Sequence, residues 1–338
     1  MTTSPPPNIY DLAALRMLAA HPAGDEFSPL HGAHCLVTDF NGSEAASDAE
    51  ANASVAAWLH QLPCPSIAIG THALAAHCDV ALDDAHDLPV ILNTIANAPL
   101  AAMTLVQVLR ATPQVSVEQG LLLESLAYAT LQGGPEFRGW STAHPPRSIE
   151  SLDTPPLLIE RNDSHLRIRL NRPERRNAIS VEMRDALCEA FQLVAADPSL
   201  TQVEISGNGA CFSIGGDVDE FGLAPDTATA HAVRSLRLPA RCLLPIAGRV
   251  SFHLHSACIG AGIELPAFAA RVTAAKNAFF QLPDLRVGLI PGAGGCGSLP
   301  RRIGRQRTAY MALTGKKISA TTALAWGLID AIAERPED

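Results

Sequence analysis

The sequence predicts an α/β protein, and three observations support this fold class. Apolar residues make up 47% of the 338-residue chain and charged residues 17%, which is typical of a folded protein with a large core. Apolar residues alternate on both sides of an Asn-Asp-Ser turn at residues 162–164, and this pattern predicts a β-hairpin over residues 157–170. Strand and helix patterns then alternate towards residue 333, as expected when helices pack against a sheet.

Individual elements follow from periodicity and capping residues. Ser180 is placed to cap a helix that ends before Pro198 and is followed by a strand at residues 203–206. The apolar face of this helix consists of Met183, Leu187, Phe191 and Val194. In the first half, the patterns predict strands at residues 35–39 and 66–70, and helices at residues 49–62, 89–111 and 117–131.

A proline-rich stretch at residues 141–156 predicts a linker between two halves. On this basis we divide the chain into a first module (residues 31–140) and a second, α/β core (residues 157–333). Residues 1–30 are predicted to form a flexible N-terminus, and residues 334–338 a short tail.

The composition excludes several classes of partner. A net charge of −9 argues against nucleic acid or an anionic membrane as the main partner. We find no apolar run long enough for a membrane span and no signal-peptide pattern. The eight cysteines are dispersed without a Cys-x-x-Cys pair, which favours free thiols over a disulfide framework. We therefore predict a cytoplasmic protein that binds neither nucleic acid nor a membrane.

Two glycine-rich segments, residues 211–217 and 260–265, each follow an apolar run that predicts a strand. Glycines at a strand-to-helix junction allow backbone N–H groups to turn inward and stay free of strand pairing. Two such N–H groups from separate loops can form an oxyanion hole, which suits a thioester carbonyl that becomes an enolate. Taken alone, each segment is equally well explained as a tight turn.

Two carboxylates, Glu264 and Asp284, lie among apolar residues, where a charge is costly unless it is paired or used. Carboxylates on either side of a substrate's α and β carbons are what addition of water across a conjugated double bond requires. Structural roles remain open at this point. An acid is favoured at a helix start, as at Glu264, and Asp284 has Arg286 close by as a partner.

Two further patterns point to other chemistry. Gly292, Gly294 and Gly297 match the Gly-x-Gly-x-x-Gly dinucleotide fingerprint, but too few residues follow to build a βαβ unit. His253 and His255 lie on one face of a strand, but no third ligand has metal spacing. No metal or redox cofactor is therefore predicted.

Several segments resemble the enoyl-CoA hydratase/isomerase (crotonase) superfamily in order and spacing. They are LNRPE and RNA within residues 170–178, the loops at residues 212–217 and 255–265, FQLPDLRVGLIPGAGG at residues 280–295, LPRRIG at residues 299–304, LTG at residues 313–315 and AWGLID at residues 325–330. The resemblance implies a spiral of ββα turns that binds coenzyme A thioesters, with CoA as part of the substrate rather than a separate cofactor.

The resemblance also implies roles for individual residues. It places the oxyanion-hole N–H groups at Ile214 and Ala261, and the catalytic carboxylates at Glu264 and Asp284. It places substrate and CoA contacts at Arg176, Ala178, Gly215, Gly216, Asp217, Gly260, Gly262, Pro291 and Gly292.

Two residues depart from the family pattern. Ile214 stands where the family has a small residue, and its side chain is expected to reshape the acyl pocket. Asp284 replaces the usual Glu and withdraws the carboxylate by roughly 1–1.5 Å, a misplacement that can cost about a hundredfold in rate. The walls of the acyl pocket are expected from residues 220–237.

The predicted function is addition of water across the 2,3-double bond of an enoyl-CoA. Because of Asp284, double-bond isomerisation through Glu264 and hydrolytic C–C cleavage of a CoA thioester stay open. A non-catalytic partner subunit is the alternative of another class, disfavoured by the presence of both loops and both carboxylates. The resemblance further implies a homo-oligomer, a trimer or a hexamer.

The second half stops soon after AWGLID, where the family continues with a helical module. Residues 88–140 resemble that module placed earlier in the chain, and residues 35–80 resemble a degenerate strand–helix–strand unit of the same superfamily. We therefore predict a crotonase-like ββα spiral core with an additional α-helical module supplied from the N-terminal half, itself a degenerate crotonase-like copy.

Overall fold

The computed structural model describes residues 8–21, 26–43, 49–147 and 153–333, so the predicted tail and parts of the predicted N-terminus and linker lie outside the described residues. The strands are β1 (Ile9–Tyr10), β2 (Leu36–Asp39), β3 (Ser66–Ile69), β4 (Val80–Leu82), β5 (Leu157–Asn162), β6 (His165–Leu170), β7 (Gln202–Gly207), β8 (Val250–Leu254), β9 (Ala257–Ile259), β10 (Arg271–Ala274), β11 (Phe279–Gln281), β12 (Ile318–Ser319) and β13 (Ala331–Ile332). The helices are α1 (Leu12–Ala20), α2 (Ala49–Gln61), α3 (Leu88–Asn97), α4 (Pro99–Ala111), α5 (Val117–Gln132), α6 (Pro135–Ala143), α7 (Val181–Ala196), α8 (Thr227–Arg237), α9 (Pro239–Leu243), α10 (Ala261–Glu264), α11 (Gly295–Ile303), α12 (Arg305–Thr314) and α13 (Ala320–Trp326).

The first half contains a parallel sheet in the order β1-β2-β3-β4. Successive side chains of a strand point to opposite faces, and this sheet is buried on both. Leu36 and Ala68 belong to an apolar cluster with α1 and α2, whereas Val37 and Ile67 belong to the main core. The two strands and the first helix predicted for this half are confirmed to within one residue at each end.

The prediction of a flexible N-terminus over residues 1–30 is wrong for much of its described part. Strand β1 pairs with β2, and the Asp11 side chain caps α1 by accepting the Ala14 N–H at 2.8 Å. Leu15 is fully buried. Apolar residues at helical spacing after an N-cap aspartate explain this order, and the proline-rich start of the chain obscured that signal.

Residues 157–333 build two further sheets, with strand orders β13-β10-β8-β7-β6-β5 and β12-β11-β9. Strands β5 and β6 form the predicted antiparallel hairpin, and the neighbours from β6 to β13 are parallel. Strands β8 and β10 pair in the larger sheet, while β9 and β11, which follow them in the chain, pair in the smaller one. Successive turns of the chain therefore stack on each other, and the fold is mixed α/β. The helix capped by Ser180 and the strand after it are confirmed as α7 and β7.

Helices α3–α6 connect the first sheet to the second half. The prediction of one helix over residues 89–111 is wrong, because the chain bends by 110° between α3 and α4. Pro99 has no N–H to continue α3, and Ala98 leaves the helical region with a φ of −142°. Helix α5 confirms the prediction for residues 117–131 and begins at a capping box. Helix α6 extends to Ala143 and so includes the first residues of the predicted linker.

One apolar cluster runs through both halves. Leu105 of α4 and Leu121 of α5 belong to the same cluster as Cys296 and Leu299 of α11. The helices of the first half therefore cover the apolar sides of α11 and α12. The predicted linker separates the strands of the first sheet from those of the other two sheets, and the two halves share one apolar core.

Two expectations from composition can be compared with the structure. All eight cysteines are free, as predicted, and burial raises the pKa of the Cys35 thiol to about 12. Within the described ranges, no single helix is long and apolar enough to cross a membrane. Helices α3 and α4 reach that length and composition only as a sharply bent pair.

A buried ion cluster joins the halves. Asp79, which is 2% exposed, lies just before β4. It accepts a hydrogen bond from Nε of Arg110 on α4 at 2.8 Å, and Nη1 of Arg305 on α12 lies 3.3 Å from the same carboxylate oxygen. Removing one partner of a buried ion pair leaves the other charge uncompensated.

We expect Asp79→Asn to lower the free energy of unfolding by about 3–5 kcal/mol, because Arg110 and Arg305 lose their shared counter-charge. Urea unfolding followed by circular dichroism measures this change. The matched control is Asp83→Asn, at an exposed position four residues further on, which we expect to change stability by less than about 0.5 kcal/mol. Equal effects of the two substitutions would contradict the assignment.

Candidate active site

Residues from both halves line a cavity of about 440 Å³. The predicted site residues that line it are Ile214, Gly215, Gly216, Asp217, Gly260, Ala261, Glu264, Asp284 and Gly292. As predicted, residues 220–237 contribute to the wall, through Glu220, Phe221 and Arg234. Tyr128 of α5 also lines the cavity and is not among the predicted site residues.

The first glycine-rich loop lies alongside β9. The N–H of Ser213 donates to the carbonyl of Ala257 at 3.2 Å, and the N–H of Ile259 donates to the carbonyl of Ser213 at 3.0 Å. This short stretch of parallel pairing holds the loop against the strand that leads into α10. The two glycine-rich segments are therefore neighbours in space.

The predicted oxyanion donor in this loop is wrong, because the N–H of Ile214 is already used. It donates to the carbonyl of Arg176 at 3.2 Å, and the N–H of Gly215 donates to Oγ of Ser213 at 3.1 Å. The N–H of Gly216 has no acceptor among the described residues, and Gly216 lines the cavity. The free donor of this loop is therefore Gly216, while Ile214 contributes a side chain to the wall.

The second loop presents the N–H of Ala261, which likewise has no acceptor in the described part of the chain. Gly215, with a φ of +88°, allows the loops to approach. A Cβ at Gly215 would lie 2.6 Å from the carbonyl oxygen of Ile259 and 3.4 Å from the nitrogen of Ala261. Unused N–H groups from both loops thus reach one cavity.

Glu264 ends α10 and is 1% exposed. Its Oε2 accepts the N–H groups of Ala293 at 2.8 Å and Gly295 at 2.9 Å. Its Oε1 lies towards Gly260, where an added Cβ would be 3.6 Å away. Burial, and then the charges of two neighbouring carboxylates, raise the pKa of Glu264 well above its ordinary value. One oxygen is therefore fixed by the backbone, and the other is left for chemistry.

Glu124 of α5 is a buried carboxylate that the predicted site lacked. Its two oxygens accept the N–H groups of Gly294 and Cys296, each at 2.7 Å. Burial outweighs these hydrogen bonds and raises the pKa of Glu124 to about 8. Glu124 and Glu264 thus bind alternate N–H groups at the start of α11, where a helix has no backbone acceptors of its own. The signal for Glu124 in the sequence is its position as an acidic residue on the apolar side of the helix predicted over residues 117–131.

These contacts also explain the Gly-x-Gly-x-x-Gly pattern. The N–H groups that would hold a pyrophosphate in a dinucleotide site are occupied by the carboxylates of Glu124 and Glu264. Gly292 packs directly against Tyr128, since a Cβ there would lie 2.3 Å from the ring. Gly292 and Gly294 therefore serve close packing, against the rings of Tyr128 and Phe268.

Asp284 faces the same cavity from a 3₁₀ turn, Asp284–Val287. Its Oδ2 is buried and has no hydrogen-bond partner within the described residues. Burial raises the pKa of Asp284 to about 6. Arg286, considered as its partner, instead donates to the carbonyl of Gly315 at 3.2 Å. Asp284 therefore offers a free acceptor to whatever occupies the cavity.

Four predicted contact residues do not line the cavity. Arg176 is exposed and stands in the left-handed region with a φ of +53°, and Ala178 is buried beside it. Gly262 packs so closely that a Cβ would lie 2.6 Å from the carbonyl oxygen of Ser213. Pro291 is buried ahead of α11. These residues shape the loops that carry the lining groups.

The cavity combines unused N–H donors, which can stabilise a negatively charged oxygen, with buried carboxylates, which can transfer protons. The site is therefore that of an acid–base enzyme with an oxyanion hole, on a mixed α/β fold. The Enoyl-CoA hydratase/isomerase family model matches residues 160–337, more than half of the chain. The chain belongs to the enoyl-CoA hydratase/isomerase family. Glu124 and Tyr128 come from the part of the chain that the match does not cover.

Relatives include enzymes with different reactions. The 2,3-dehydroadipyl-CoA hydratase of Escherichia coli K12 is 33% identical over 176 residues, which cover 51% of this chain and 67% of that protein. The 1,2-epoxyphenylacetyl-CoA isomerase of the same organism is 35% identical over 165 residues, with coverages of 47% and 63%. Among solved structures, an enoyl-CoA hydratase from Thermoplasma volcanium is 31% identical, with a TM-score of 0.48 and coverages of 54% and 73%. The match thus spans about two thirds of the length of the curated relatives.

Proposed function

We propose that the protein adds water across the 2,3-double bond of an enoyl-CoA thioester. The observation that carries this proposal is that Glu264 and Asp284 face the same cavity as the free N–H groups of Gly216 and Ala261. Hydration needs two proton carriers and a site for the negative charge that develops on the thioester oxygen. These four groups supply both.

The two carboxylates take different roles in this proposal. Burial and neighbouring carboxylate charges raise the pKa of Glu264 well above its ordinary value, which favours its protonated form, and burial raises the pKa of Asp284 to about 6. We assign the base to Asp284, whose Oδ2 has no hydrogen-bond partner within the described residues, and the acid to Glu264. Because Oε2 of Glu264 accepts two backbone hydrogen bonds, its proton sits on Oε1. The pair thus supplies one base and one acid to the proposed reaction.

In the proposed reaction, Asp284 takes a proton from water as the water oxygen bonds to Cβ of the substrate. The double-bond electrons move towards the thioester, and the N–H groups of Gly216 and Ala261 hold the resulting enolate oxygen. Glu264 then gives its proton to Cα. One water has been added, and proton transfer from Asp284 to Glu264 restores the starting state. No electrons are gained or lost, so the step needs no redox cofactor.

The test is incubation with crotonyl-CoA in deuterated water, following thioester absorbance and deuterium uptake. A hydrated product with deuterium at Cα supports the proposal. A shifted double bond without added water points to one-base isomerisation through Glu264. Isomerisation is the second candidate because the short Asp284 side chain withdraws the second carboxylate. If crotonyl-CoA and the 3-enoyl, cyclic and carboxylate-bearing enoyl thioesters all remain unchanged, the proposal is wrong.

We expect kcat/KM for hydration to rise with pH through about 6, because Asp284 must lose its proton to act as the base. At higher pH the rate should fall as Glu264 loses the proton it donates. Initial rates from about pH 5 to about pH 9 measure both limbs. Asp284→Asn should remove the acidic limb, whereas Asp163→Asn, in the exposed β5–β6 turn, should leave it in place. An acidic limb that survives in Asp284→Asn would contradict the assignment.

We further propose that α3–α6 act as the helical module of a crotonase-like spiral core and that the subunits form trimers or hexamers. The contacts of α4 and α5 with α11 support the first part, because they cover the apolar side of the helix whose first residue, Gly295, donates its N–H to Glu264. Light scattering on the purified protein tests the second part.

A further inference from the structure

Arg234 of α8 is a cation at the cavity wall with no carboxylate partner in the described part of the chain. Its hydrogen bonds all go to neutral acceptors. Nε donates to Oγ of Ser125 at 3.1 Å, Nη1 to Oε1 of Gln132 at 3.1 Å, and Nη2 approaches the carbonyl oxygen of Ser125 at 3.4 Å. A guanidinium has five N–H groups, so each Nη keeps one N–H for another acceptor.

No carboxylate is hydrogen-bonded to this cation within the described residues. The charge of Glu124 acts on Arg234 through space, but the two oxygens of Glu124 accept the backbone N–H groups of Gly294 and Cys296. The Arg234 side chain is half-buried, and this burial lowers its pKa. A partly desolvated cation without a counter-charge is costly, and a bound anion reduces that cost.

Tyr128 marks where the cation lies. The guanidinium carbon of Arg234 is 4.4 Å from the centre of the Tyr128 ring, and that ring packs on Gly292. Ala293, the next residue, donates its N–H to Glu264. No acceptor or donor is paired with the Tyr128 hydroxyl among the described residues. Arg234 and Tyr128 therefore lie on the side of the cavity formed by Gly292 and Ala293, next to the Glu264 carboxylate.

The other cations at the cavity differ from Arg234. Arg184 is paired with Asp185, whose carboxylate accepts from its Nη2 at 2.8 Å. Arg286 is exposed and donates to the backbone. Arg234 alone among these three combines partial burial with neutral partners.

We propose that Arg234 and Tyr128 bind a carboxylate at the far end of the acyl group, so that the substrate is a CoA thioester of a dicarboxylic acid. This inference rests on the proposed function in taking a CoA thioester as the ligand. Arg234 offers two N–H donors and Tyr128 one O–H donor to the carboxylate. These residues are specificity residues that touch the substrate away from the reacting carbons.

Binding of saturated thioesters tests this inference without turnover. Isothermal titration compares succinyl-, glutaryl- and adipyl-CoA with butyryl-, pentanoyl- and hexanoyl-CoA, which match them in length but lack the carboxylate. We expect one dicarboxylic thioester to bind about 10- to 100-fold more tightly than its matched partner, the range for hydrogen bonds to a charged group. Arg234→Met should remove this preference and leave binding of the apolar thioester within about threefold.

Further variants separate recognition from folding. Arg234 also links α8 to α5 through Ser125 and Gln132, so melting temperatures must accompany the affinities. Tyr128→Phe keeps the ring and should weaken only the dicarboxylic thioester, by about threefold to tenfold. Arg237→Met, at an exposed position on the same helix, is the matched control and should retain the preference.

The outcomes distinguish the two proposals. If wild type prefers dicarboxylic thioesters but hydrates neither their enoyl forms nor crotonyl-CoA, the inference stands and the hydratase proposal fails. If crotonyl-CoA is hydrated but no thioester pair differs in affinity, the inference is wrong and the hydratase proposal stands. A preference that persists in folded Arg234→Met also overturns the inference.

Discussion

Replacing Glu264 by glutamine is expected to lower kcat for hydration by about 10²- to 10⁴-fold, the range for loss of a general acid or base. The amide oxygen can still accept the N–H groups of Ala293 and Gly295, so the start of α11 keeps its partners. The amide cannot give a proton to Cα, however. Steady-state kinetics on an enoyl-CoA that the wild type hydrates measures this change.

The control for Glu264→Gln is Glu189→Gln, the same substitution at an exposed position of α7. Its kcat should equal that of wild type within experimental error. The melting temperature of Glu264→Gln should not fall, because the substitution removes a buried ionisable group and keeps its backbone contacts. Near wild-type turnover in Glu264→Gln would exclude this residue as the proton donor.

Replacing Glu124 by glutamine is expected to lower kcat by about 10- to 100-fold, although Glu124 does not line the cavity. Glutamine has one acceptor oxygen where Glu124 uses two, so the N–H of Gly294 or of Cys296 is left facing an NH₂ group. A buried donor without an acceptor costs about 1–3 kcal/mol. The start of α11 should shift to relieve this cost and carry the Glu264 carboxyl out of place.

The pH profile separates this positioning role from a general loss of stability. The charge of Glu124 raises the pKa of Glu264, so its removal lowers that pKa, and the alkaline limb of kcat should move to lower pH. The control is Glu118→Gln, an exposed position on the same helix, which should change neither limb. A lower melting temperature with an unmoved alkaline limb would mean that Glu124 only stabilises the fold.

Local signals predicted a large part of the fold. Strands β2, β3, β5, β6 and β7 and helices α2, α5 and α7 could be predicted because alternation, helical periodicity and capping residues act over a few residues. The failures have local causes as well. Pro99 divides a continuous apolar pattern into α3 and α4, and Asp11 starts a helix in a region expected to be flexible.

The sequence by itself determined the α/β class, the two glycine-rich loops and the candidate carboxylates Glu264 and Asp284, because each is marked by its immediate neighbours. Only the tertiary structure decided which N–H of the first loop is free, since the carbonyl of Arg176 takes that of Ile214 and leaves Gly216. It also brought Glu124 to Gly294, 170 residues away in the chain, and placed Arg234 over Tyr128. Hydrogen-bond partners and counter-charges are set by the packing of distant segments, and no local pattern encodes them.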